Sequence, residues 1–284
     1  MNARQASHPG RDPKRSVVAT INYCRAAGAG ERLYIDVRDF ARSNMKFTPH
    51  RVPIRDAREI EDRLSLDREG FVLVEHRSAV AGSRDLELLG RDYHAEMALM
   101  IKELTGARDV LPQRTGLLLR FGERSPEQGS AKPARFAHLD YTTEWAQRFV
   151  PLICAWEHVE LEPYRRFVAY QTWRATSEPP QDNTLALCDG RTVANAETME
   201  FDVTIGPEEV PGNTFVSRVC GSSDAHRWFY FSKLTRDEVI IFNAFDSEAP
   251  LAINVAHSAF DDPTAPSDAA PRASVEARFF AFFD

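Results

Sequence analysis

The sequence has few cysteines, few glycines and prolines, and no long hydrophobic run. Its 14 glycines and 17 prolines among 284 residues exclude a collagenous or low-complexity chain. Charged residues interrupt every apolar stretch before it reaches the roughly 18 to 20 residues of a membrane span. The first residues are polar and basic, and no apolar segment follows them, so they do not resemble a secretory signal. We therefore expect a cytoplasmic protein with no membrane partner.

The cysteine and charge content narrows the class further. The four cysteines lie far apart and form no C-x-x-C pair, which predicts reduced thiols rather than disulfides or a zinc site. Lys and Arg number 35 against 42 Asp and Glu, and the resulting net charge of −7 argues against nucleic acid as a partner. The 43% hydrophobic content is that of an ordinary globular protein.

The N-terminal third combines helix and strand patterns. Apolar residues recur three or four positions apart from Leu86 to Leu104, which predicts a helix with one apolar face. Gly106 is a natural end for this helix. Apolar runs at residues 70–74 and 116–121 predict strands before and after it. We expect the helix to cover a sheet.

From about residue 134 the pattern changes to short β-rich runs separated by turn residues, which is typical of a sandwich or barrel. These runs are residues 136–142, 167–173, 184–188, 199–203, 228–231, 239–242, 251–257 and 273–283. We predict a flexible tail over residues 1–16. The remainder, residues 17–284, is expected to form one domain.

A histidine and an aspartate stand two residues apart in one of the predicted strands. Residues i and i+2 of a strand project from the same face, so His138 and Asp140 can bind one ion together. A second imidazole would complete the facial triad of non-haem Fe(II) oxygenases, which leaves coordination positions open for substrate and dioxygen. H-x-D is a common sequence and needs independent support.

Three later histidines are candidates for the second imidazole: His158, His226 and His257. We favour His257, because it ends an apolar run and would stand at a strand end. Acidic residues flank His158, and His226 lies in a segment that looks like a turn.

The last predicted strand carries polar residues at every second position, namely Arg272, Ser274, Glu276 and Arg278. Period-two alternation places all four on one face, which is either a solvated surface or a binding site. An Arg-x-Ser pair shortly after the distal histidine can bind the far carboxylate of 2-oxoglutarate, because guanidinium and hydroxyl groups both donate to carboxylates. The H-x-D pattern, the distal histidine and the Arg-x-Ser pair, in this order, are together more specific than any one of them alone.

On these residues the sequence resembles the family of 7α-cephem methoxylase component, gibberellin-type desaturase and asaB-like hydroxylase/desaturase proteins. The similar segments are residues 71–76, 138–142, 173–174, 185–189, 226–231, 237–238, 245–247, 257–260 and 271–278. The resemblance implies a mainly β fold with flanking helices, a double-stranded β-helix of the jelly-roll, cupin-like kind. It also implies Fe(II) and 2-oxoglutarate as cofactors.

The resemblance assigns roles residue by residue. The implied iron ligands are His138, Asp140 and His257. The implied co-substrate clamp is Arg272 with Ser274, and Arg278 is the alternative clamp. The chain departs from the family pattern at Ala256 and Ala273, where the family usually has Pro and Glu. Neither departure removes an implied ligand.

Further residues are candidates for substrate binding because they adjoin these motifs: Tyr141, Thr142, Trp173, Arg174 and Arg278. Tyr141 and Thr142 follow the expected iron-binding strand directly, although they can equally fill a strand. Trp173 and Arg174 end another strand, where a buried arginine would need an anionic partner such as a substrate carboxylate.

We predict an Fe(II)/2-oxoglutarate-dependent oxygenase acting by hydroxylation, desaturation or cyclisation on a small secondary-metabolite or amino-acid-like substrate. Its expected partners are that substrate and dioxygen. Two alternatives stay open: a non-catalytic jelly-roll subunit that assists a tailoring enzyme, and a metal-dependent cupin-like enzyme that does not use 2-oxoglutarate. The sequence leaves the oligomeric state open, and a homodimer is compatible with it.

Overall fold

The structure of the chain is a computed structural model that describes residues 15–26, 28, 30–37, 39–129, 132–248 and 254–284. The expected flexible tail, residues 1–16, lies outside the described residues up to residue 14. Ser16, the last residue of that expected tail, belongs to the first strand.

The strands, in chain order, are β1 (Ser16–Cys24), β2 (Leu33–Asp36), β3 (Phe47–Asp56), β4 (Phe71–Glu75), β5 (Asp109–Phe121), β6 (His138–Leu139), β7 (Arg166–Ala175), β8 (Asn183–Cys188), β9 (Thr198–Thr204), β10 (Thr214–Cys220), β11 (Trp228–Tyr230), β12 (Glu238–Asp246), β13 (His257–Asp261) and β14 (Ala273–Phe283). The helices are α1 (Leu86–Leu88), α2 (His94–Thr105) and α3 (Thr143–Glu157), with a π-helical turn at Leu89–Tyr93. Short 3₁₀ turns lie at Phe40–Arg42, Ala57–Arg63, Gly190–Thr192 and Asn195–Glu197. The predicted mainly β architecture with flanking helices is confirmed.

Within the described residues the strands form two sheets. The larger sheet has the order β1-β3-β11-β8-β13-β6-β10-β9-β2, and the smaller has the order β4-β12-β7-β14-β5. Side chains from both sheets meet in one apolar core, for example Leu185 and Leu187 of β8 with Trp173 of β7 and Phe242 of β12. The inner faces of the two sheets therefore enclose the space in which the candidate site lies.

The predicted helix before the first long strand is confirmed, and it extends from α1 through the π-helical turn to α2. Gly106 ends it with a positive φ of 71°, a conformation that glycine adopts without strain. Met97 and Ile101 of α2 pack into a core cluster with residues of β5 and β14, so the helix covers the smaller sheet as expected. Leu86 and Leu104, at the two ends of the apolar stripe, are exposed.

Two expectations for the second half need correction. The run at residues 251–257 was expected to be a strand that ends at His257, but β13 instead begins at His257. Residues 251–253 of that run lie outside the described residues. The run at residues 136–142 yields only the two-residue strand β6, because Thr142 caps the following helix.

Helix α3 was not expected from the β-rich pattern. Thr142 accepts a hydrogen bond from the backbone N–H of Trp145, which is the usual role of a threonine at a helix start. Ala146, Phe149 and Ile153 form its buried face at helical spacing. The helix follows the candidate iron-binding strand directly and closes one end of the sandwich core.

Candidate metal and co-substrate site

Three residues that the sequence singled out lie together between the sheets. The potential ligand atoms of His138, Asp140 and His257 all lie within 4.8 Å of one another, and all three residues are buried. His138 and His257 face each other directly across the paired strands β6 and β13. Asp140 follows two residues after His138, so it extends the same face of the chain. Among the described residues no other such group of histidine, cysteine and carboxylate side chains is present.

Backbone carbonyls hold both imidazoles in the same tautomer. His138 Nδ1 lies 2.9 Å from the carbonyl oxygen of Phe136, and His257 Nδ1 lies 3.2 Å from that of Val255. Because a carbonyl only accepts, Nδ1 carries the proton in each ring. Nε2 then keeps its lone pair, which is the form of histidine that binds a metal.

Burial keeps both histidines neutral. Desolvation, assisted by the neighbouring His257, lowers the pKa of His138 to about 3. Desolvation likewise lowers the pKa of His257 below its ordinary value. At neutral pH a divalent cation therefore meets no competing proton on either Nε2 atom.

The two oxygens of Asp140 have different surroundings. Arg278 Nη2 donates a hydrogen bond to Oδ1 over 2.9 Å, whereas Oδ2 is buried and has no hydrogen-bond partner among the described residues. Burial disfavours the ionised carboxylate, but Arg278 and the two histidines outweigh this effect and hold the pKa of Asp140 below its ordinary range. A buried, charged and unpaired oxygen is costly unless it binds a cation.

This donor set fits Fe(II). Two neutral imidazoles and one carboxylate on one side of a centre form the facial arrangement used by non-haem iron enzymes. The unpaired Asp140 Oδ2 supplies the negative ligand that such a site requires. The geometry and chemistry of the residues thus agree with the metal implied by the sequence pattern.

A small, polar-lined cavity adjoins the two histidines. Its lining residues include Arg120, Gln171, Trp173, Arg272 and Glu276. Arg272, which precedes β14, and Ser274, Glu276 and Arg278 of β14 are all buried, so this polar face points into the interior and not into solvent.

Arg272 is the central cation of this cavity. Its Nε and Nη2 lie 3.3 and 3.2 Å from Ser274 Oγ, its Nη1 lies 3.2 Å from Asn183 Oδ1, and its guanidinium stacks 5.0 Å above the ring of Trp173. Burial lowers the pKa of Arg272 to about 10, which leaves it charged at neutral pH. Arg272 therefore lines the same cavity as the two histidines, and Ser274 contacts its guanidinium.

Glu276 links two cations in the wall of the cavity. Its carboxylate accepts hydrogen bonds from Arg272 Nη2 at 3.0 Å and from Arg120 Nε at 2.8 Å. Burial opposes its ionisation, but the two arginines hold the pKa of Glu276 below its ordinary value. Two guanidinium groups against one carboxylate leave one net positive charge, which matches a single carboxylate of a ligand.

A second, larger cavity adjoins the first and shares Arg120, Ala134 and His138 with it. It is lined mainly by apolar side chains. Those side chains are Ile35, Val37, Phe40, Leu118, Ala134, Phe136, Phe201, Val203, Ile205 and Phe215. Its charged members, Arg120, Asp140 and Arg278, are paired with one another or with Glu276.

The other candidates for substrate binding occupy different positions. Trp173 lines the small cavity and Arg278 the large one. Tyr141 is buried, donates a hydrogen bond to Gln113 Oε1 and packs against Phe149. Thr142 caps α3. Neither Tyr141 nor Thr142 lines the two cavities.

The structure does not bring Arg174 to the site. Its guanidinium donates to the backbone carbonyls of His76 and Arg236 at 2.7 and 2.6 Å. Arg174 Nη2 also lies 2.9 Å from His76 Nδ1. These protein groups, and not a substrate carboxylate, surround this buried arginine.

The two rival histidines lie elsewhere. His158 ends α3 in the left-handed conformation with a φ of 55°. His226 contacts Tyr23 Oη at 3.0 Å and Glu197 at 3.3 Å. Of the three histidines weighed, His257 alone joins His138 and Asp140 within the described chain.

Sequence reasoning missed Arg120, Gln171 and Asn183 as members of the site. Arg120 interrupts the apolar run at residues 116–121, and Gln171 stands two residues before Trp173 on the same strand face. Both patterns could have marked these residues as site candidates from the sequence. No sequence pattern marks Asn183, because only folding brings it into contact with Arg272.

Residues 21–282 match a family model described as YDMC, oxidoreductase/YMDC permease-like domain. The Fe(II)/2-oxoglutarate-dependent dioxygenase nvfI of Aspergillus novofumigatus (strain IBT 16806) is 31% identical over 269 residues, which cover 90% of this chain and 92% of that protein. The chain belongs to this oxidoreductase family and is an Fe(II)/2-oxoglutarate-dependent oxygenase.

Other relatives of this oxygenase agree. The hydroxylase/desaturase CTB9 of Cercospora beticola is 30% identical over 260 residues, 84% of this chain and 78% of that protein. A solved structure titled iron and alpha-ketoglutarate-dependent endoperoxidase NvfI superposes with a TM-score of 0.76 at 28% identity, covering 97% of this chain and 99% of that one. The predicted jelly-roll fold is thereby confirmed.

The cofactors of this oxygenase are Fe(II) and 2-oxoglutarate, as expected, and it acts in secondary metabolism. The relatives named above are a dioxygenase and a hydroxylase/desaturase. They support neither of the two alternatives, a non-catalytic subunit or a cupin-like enzyme that does not use 2-oxoglutarate. In the part of the chain that the structure describes, no helix is long and apolar enough to cross a bilayer.

Proposed function

We propose that His138, Asp140 and His257 hold the iron through the two Nε2 atoms and Oδ2. We further propose that Arg272, with Ser274, binds the distal carboxylate of 2-oxoglutarate. The observation that carries this proposal is the cluster of three potential ligand atoms within 4.8 Å of one another, beside a cavity that contains Arg272. Arg278 is less suited to the clamp, because it lines the apolar cavity instead and its carboxylate partner is the proposed iron ligand Asp140.

The protein residues position and neutralise the reactants. Arg278 fixes Asp140 through Oδ1 and so directs Oδ2 towards the histidines. The carbonyls of Phe136 and Val255 orient the two imidazoles. When bound, Fe(II) and 2-oxoglutarate supply dioxygen activation coupled to decarboxylation of the co-substrate. The buried walls exclude water, which protects the oxidising equivalents from side reactions.

We infer that the substrate is an apolar secondary metabolite rather than an amino-acid-like molecule. The large cavity presents mainly hydrocarbon and aromatic surface, and its charged groups are engaged by protein partners. An amino acid would need free charged groups there. Hydroxylation, desaturation and cyclisation remain the candidate outcomes, and the endoperoxidase title of the similar structure adds endoperoxide formation.

The test of the proposed site is an anaerobic titration of the apoprotein with Fe(II) and 2-oxoglutarate, followed by the visible charge-transfer band of a chelated keto acid. We expect the band in the wild type and its loss in His257→Ala. In Arg272→Ala the band should require a much higher 2-oxoglutarate concentration. Folded, metal-loaded protein that never develops the band would overturn the proposal.

The reaction outcome is tested separately by mass spectrometry with apolar polycyclic candidates under air. Hydroxylation adds one oxygen atom, desaturation or ring closure removes two hydrogen atoms, and endoperoxide formation adds a dioxygen unit. Turnover of amino acids in preference to apolar compounds would contradict the inferred substrate class.

Finer assignments are also proposals. We propose that the chain is an asaB-like hydroxylase/desaturase rather than a cephem methoxylase or a gibberellin-type desaturase. Relatives named hydroxylase/desaturase support this subgroup.

We propose that residues 17–284 act as one domain, since both sheets contribute to one site. A cytoplasmic location is supported by four free cysteines. Light scattering would test the homodimer that the sequence allows.

A further inference from the structure

Two side chains that line the small cavity each have a polar atom without a hydrogen-bond partner in the arrangement described so far. Gln171 and Trp173 are each 1% exposed and line the cavity beside the histidines. Among the described residues, neither Gln171 Oε1 nor Trp173 Nε1 has a hydrogen-bond partner. Buried polar atoms are normally satisfied, and an unsatisfied atom that faces a cavity indicates a missing partner.

The rest of the cavity wall contrasts with these two residues. Its charged members Arg120, Arg272 and Glu276 are hydrogen-bonded to one another, and Arg272 also contacts Ser274. A water-filled cavity could satisfy the two open atoms, but both stand on the same face of β7 and flank the proposed co-substrate clamp. Their alignment favours one elongated polar ligand.

The strand register gives the two residues an order along the cavity. Gln171 pairs with Arg278, and Trp173 pairs with Glu276, on the neighbouring strand β14. Arg278 contacts the proposed metal ligand Asp140, whereas the guanidinium of Arg272 lies over the ring of Trp173. Gln171 therefore stands at the metal end of the cavity and Trp173 at the Arg272 end.

We propose that Gln171 and Trp173 bind 2-oxoglutarate at its two ends. The Gln171 amide donates to the keto-acid end, and the Trp173 indole N–H donates to the distal carboxylate together with Arg272. A carboxylate accepts only, so it selects the NH₂ group of the glutamine amide, which can rotate to present it. This inference rests on the proposed function and adds two co-substrate-binding residues to it.

A matched pair of ligands separates the two contacts. 2-Oxopentanoate keeps the keto acid of 2-oxoglutarate but has a methyl group in place of the distal carboxylate. We would measure the Kd of both ligands by anaerobic calorimetry on Fe(II)-loaded wild type, Gln171→Met and Trp173→Phe. Thr184→Val is the control, since Thr184 Oγ1 is also buried and unpartnered but does not line this cavity.

We expect Gln171→Met to weaken both ligands by the same factor, roughly tenfold or more for a lost hydrogen bond to a charged group. Trp173→Phe should weaken 2-oxoglutarate by a similar factor and leave 2-oxopentanoate unchanged. Thr184→Val should change neither Kd. Wild-type affinity for 2-oxoglutarate in both cavity variants would overturn the inference, and equal loss of both ligands in Trp173→Phe would overturn the assignment of ends.

A second measurement needs no cavity variant to remain folded. In Zn(II)-loaded wild type, the indole N–H resonance of Trp173 should move downfield on addition of 2-oxoglutarate and stay in place with 2-oxopentanoate. An unmoved resonance at saturating 2-oxoglutarate would refute the tryptophan contact. If the metal-loaded wild type binds no 2-oxoglutarate at all, the proposed function itself fails, which is a different result from normal binding in the variants.

Discussion

At the scale of single residues, Asp140 shows how one side chain serves both the protein and a ligand. Arg278 satisfies Oδ1, and Oδ2 is left for a cation. Arg278 is thus the only neighbour, among the described residues, that donates a hydrogen bond to this buried carboxylate. The ion pair matters most when no metal is bound.

Removing Arg278 should therefore harm the metal-free protein more than the loaded one. Arg278→Met leaves Asp140 buried without its partner, and breaking a buried pair in this way costs about 3–5 kcal/mol. Bound Mn(II) should recover part of this loss by engaging the carboxylate. Urea unfolding with and without Mn(II) measures both values, and an equal loss in the two conditions would contradict the role assigned to Arg278.

His94 gives a pH-dependent contribution to stability that is separate from the metal site. This histidine is buried against the ring of Phe279, and desolvation lowers its pKa to about 4. In the unfolded chain the pKa of His94 is near 6.5. Between pH of about 4 and about 6.5, His94 is therefore protonated in the unfolded chain but neutral in the folded one. Stability should therefore fall as pH drops from about 6.5 to about 4.

Below pH of about 4 the full loss in the free energy of unfolding is about 3 kcal/mol, because each unit of difference in pKa corresponds to about 1.36 kcal/mol. His94→Gln, which cannot titrate, should show a flatter decline over the same pH range. Urea unfolding at several pH values compares the two proteins. Parallel declines would mean that His94 is not the group responsible.

The sequence predicts the residues of the site unevenly at this scale. His138, Asp140, Arg272 and Ser274 are detectable because the two members of each pair stand two residues apart in a predicted strand. Arg120 and Asn183 belong to other strands, and only the folded sheets bring them to Arg272 and Glu276. The sequence around Arg120 marks it as unusual, but local spacing does not show which residues Arg120 and Asn183 contact.

At the scale of elements, the pairing of β5 with β14 contains an irregularity beside the site. The register jumps between Glu276, which pairs with Leu118, and Arg278, which pairs with Gln113. Gly116 lies in the extra length of β5. A Cβ atom there would stand 2.8 Å from Arg278 Cβ and 3.0 Å from the carbonyl oxygen of Gln113. The bulge depends on a residue without a side chain.

Gly116→Ala should displace Arg278 and thereby loosen Asp140. Overpacking of this kind costs about 1–3 kcal/mol of stability, and we expect weaker Mn(II) binding as well. Gly90→Ala is the matched control, since its nearest neighbour outside the helix would be Leu117 Cδ2 at 3.8 Å. This control should be neutral or stabilising by up to about 1 kcal/mol. Calorimetry and urea unfolding of both variants decide the matter, and identical behaviour would argue against the close approach at Gly116.

Elements with strong periodicity were predictable, and short or capped ones were not. The helix before Gly106 and the strand β14 follow the expected spans, because each carries its period over many residues. Helix α3 escaped prediction because its start overlaps a β-like run. Strand β13 begins where the expected strand ended, since an apolar run does not distinguish a buried loop from a strand.

At the scale of the whole molecule, the site joins the two sheets. His138 and His257 belong to the larger sheet, and Arg272 and Ser274 precede or open β14 of the smaller one. A ligand that contacts both sets connects the sheets across the core. Ligand binding should therefore stabilise the fold as a unit.

The order of binding should be visible in thermal unfolding. Mn(II) alone should raise Tm in the wild type and not in His257→Ala. 2-Oxoglutarate should raise Tm further only when Mn(II) is present. At a concentration of about 100 times its Kd, 2-oxoglutarate should add about 2.7 kcal/mol to the free energy of unfolding. Arg272→Leu should keep the response to Mn(II) and lose most of the response to 2-oxoglutarate. An undiminished co-substrate response in Arg272→Leu would exclude Arg272 as the clamp.

The two cavities share Arg120, Ala134 and His138, but most of their remaining walls come from different strands. The small cavity draws mainly on the inner strands β7, β8, β13 and β14, whereas the apolar cavity draws mainly on β2, β9 and β10 at one border of the larger sheet and on β5 at the border of the smaller one. We therefore expect mutations at these borders to reshape the proposed substrate cavity with little change in the proposed iron site. After gene duplication, selection can explore new substrates without rebuilding the catalyst, and relatives named for endoperoxidation and for hydroxylation or desaturation are the kind of diversity that such a division permits.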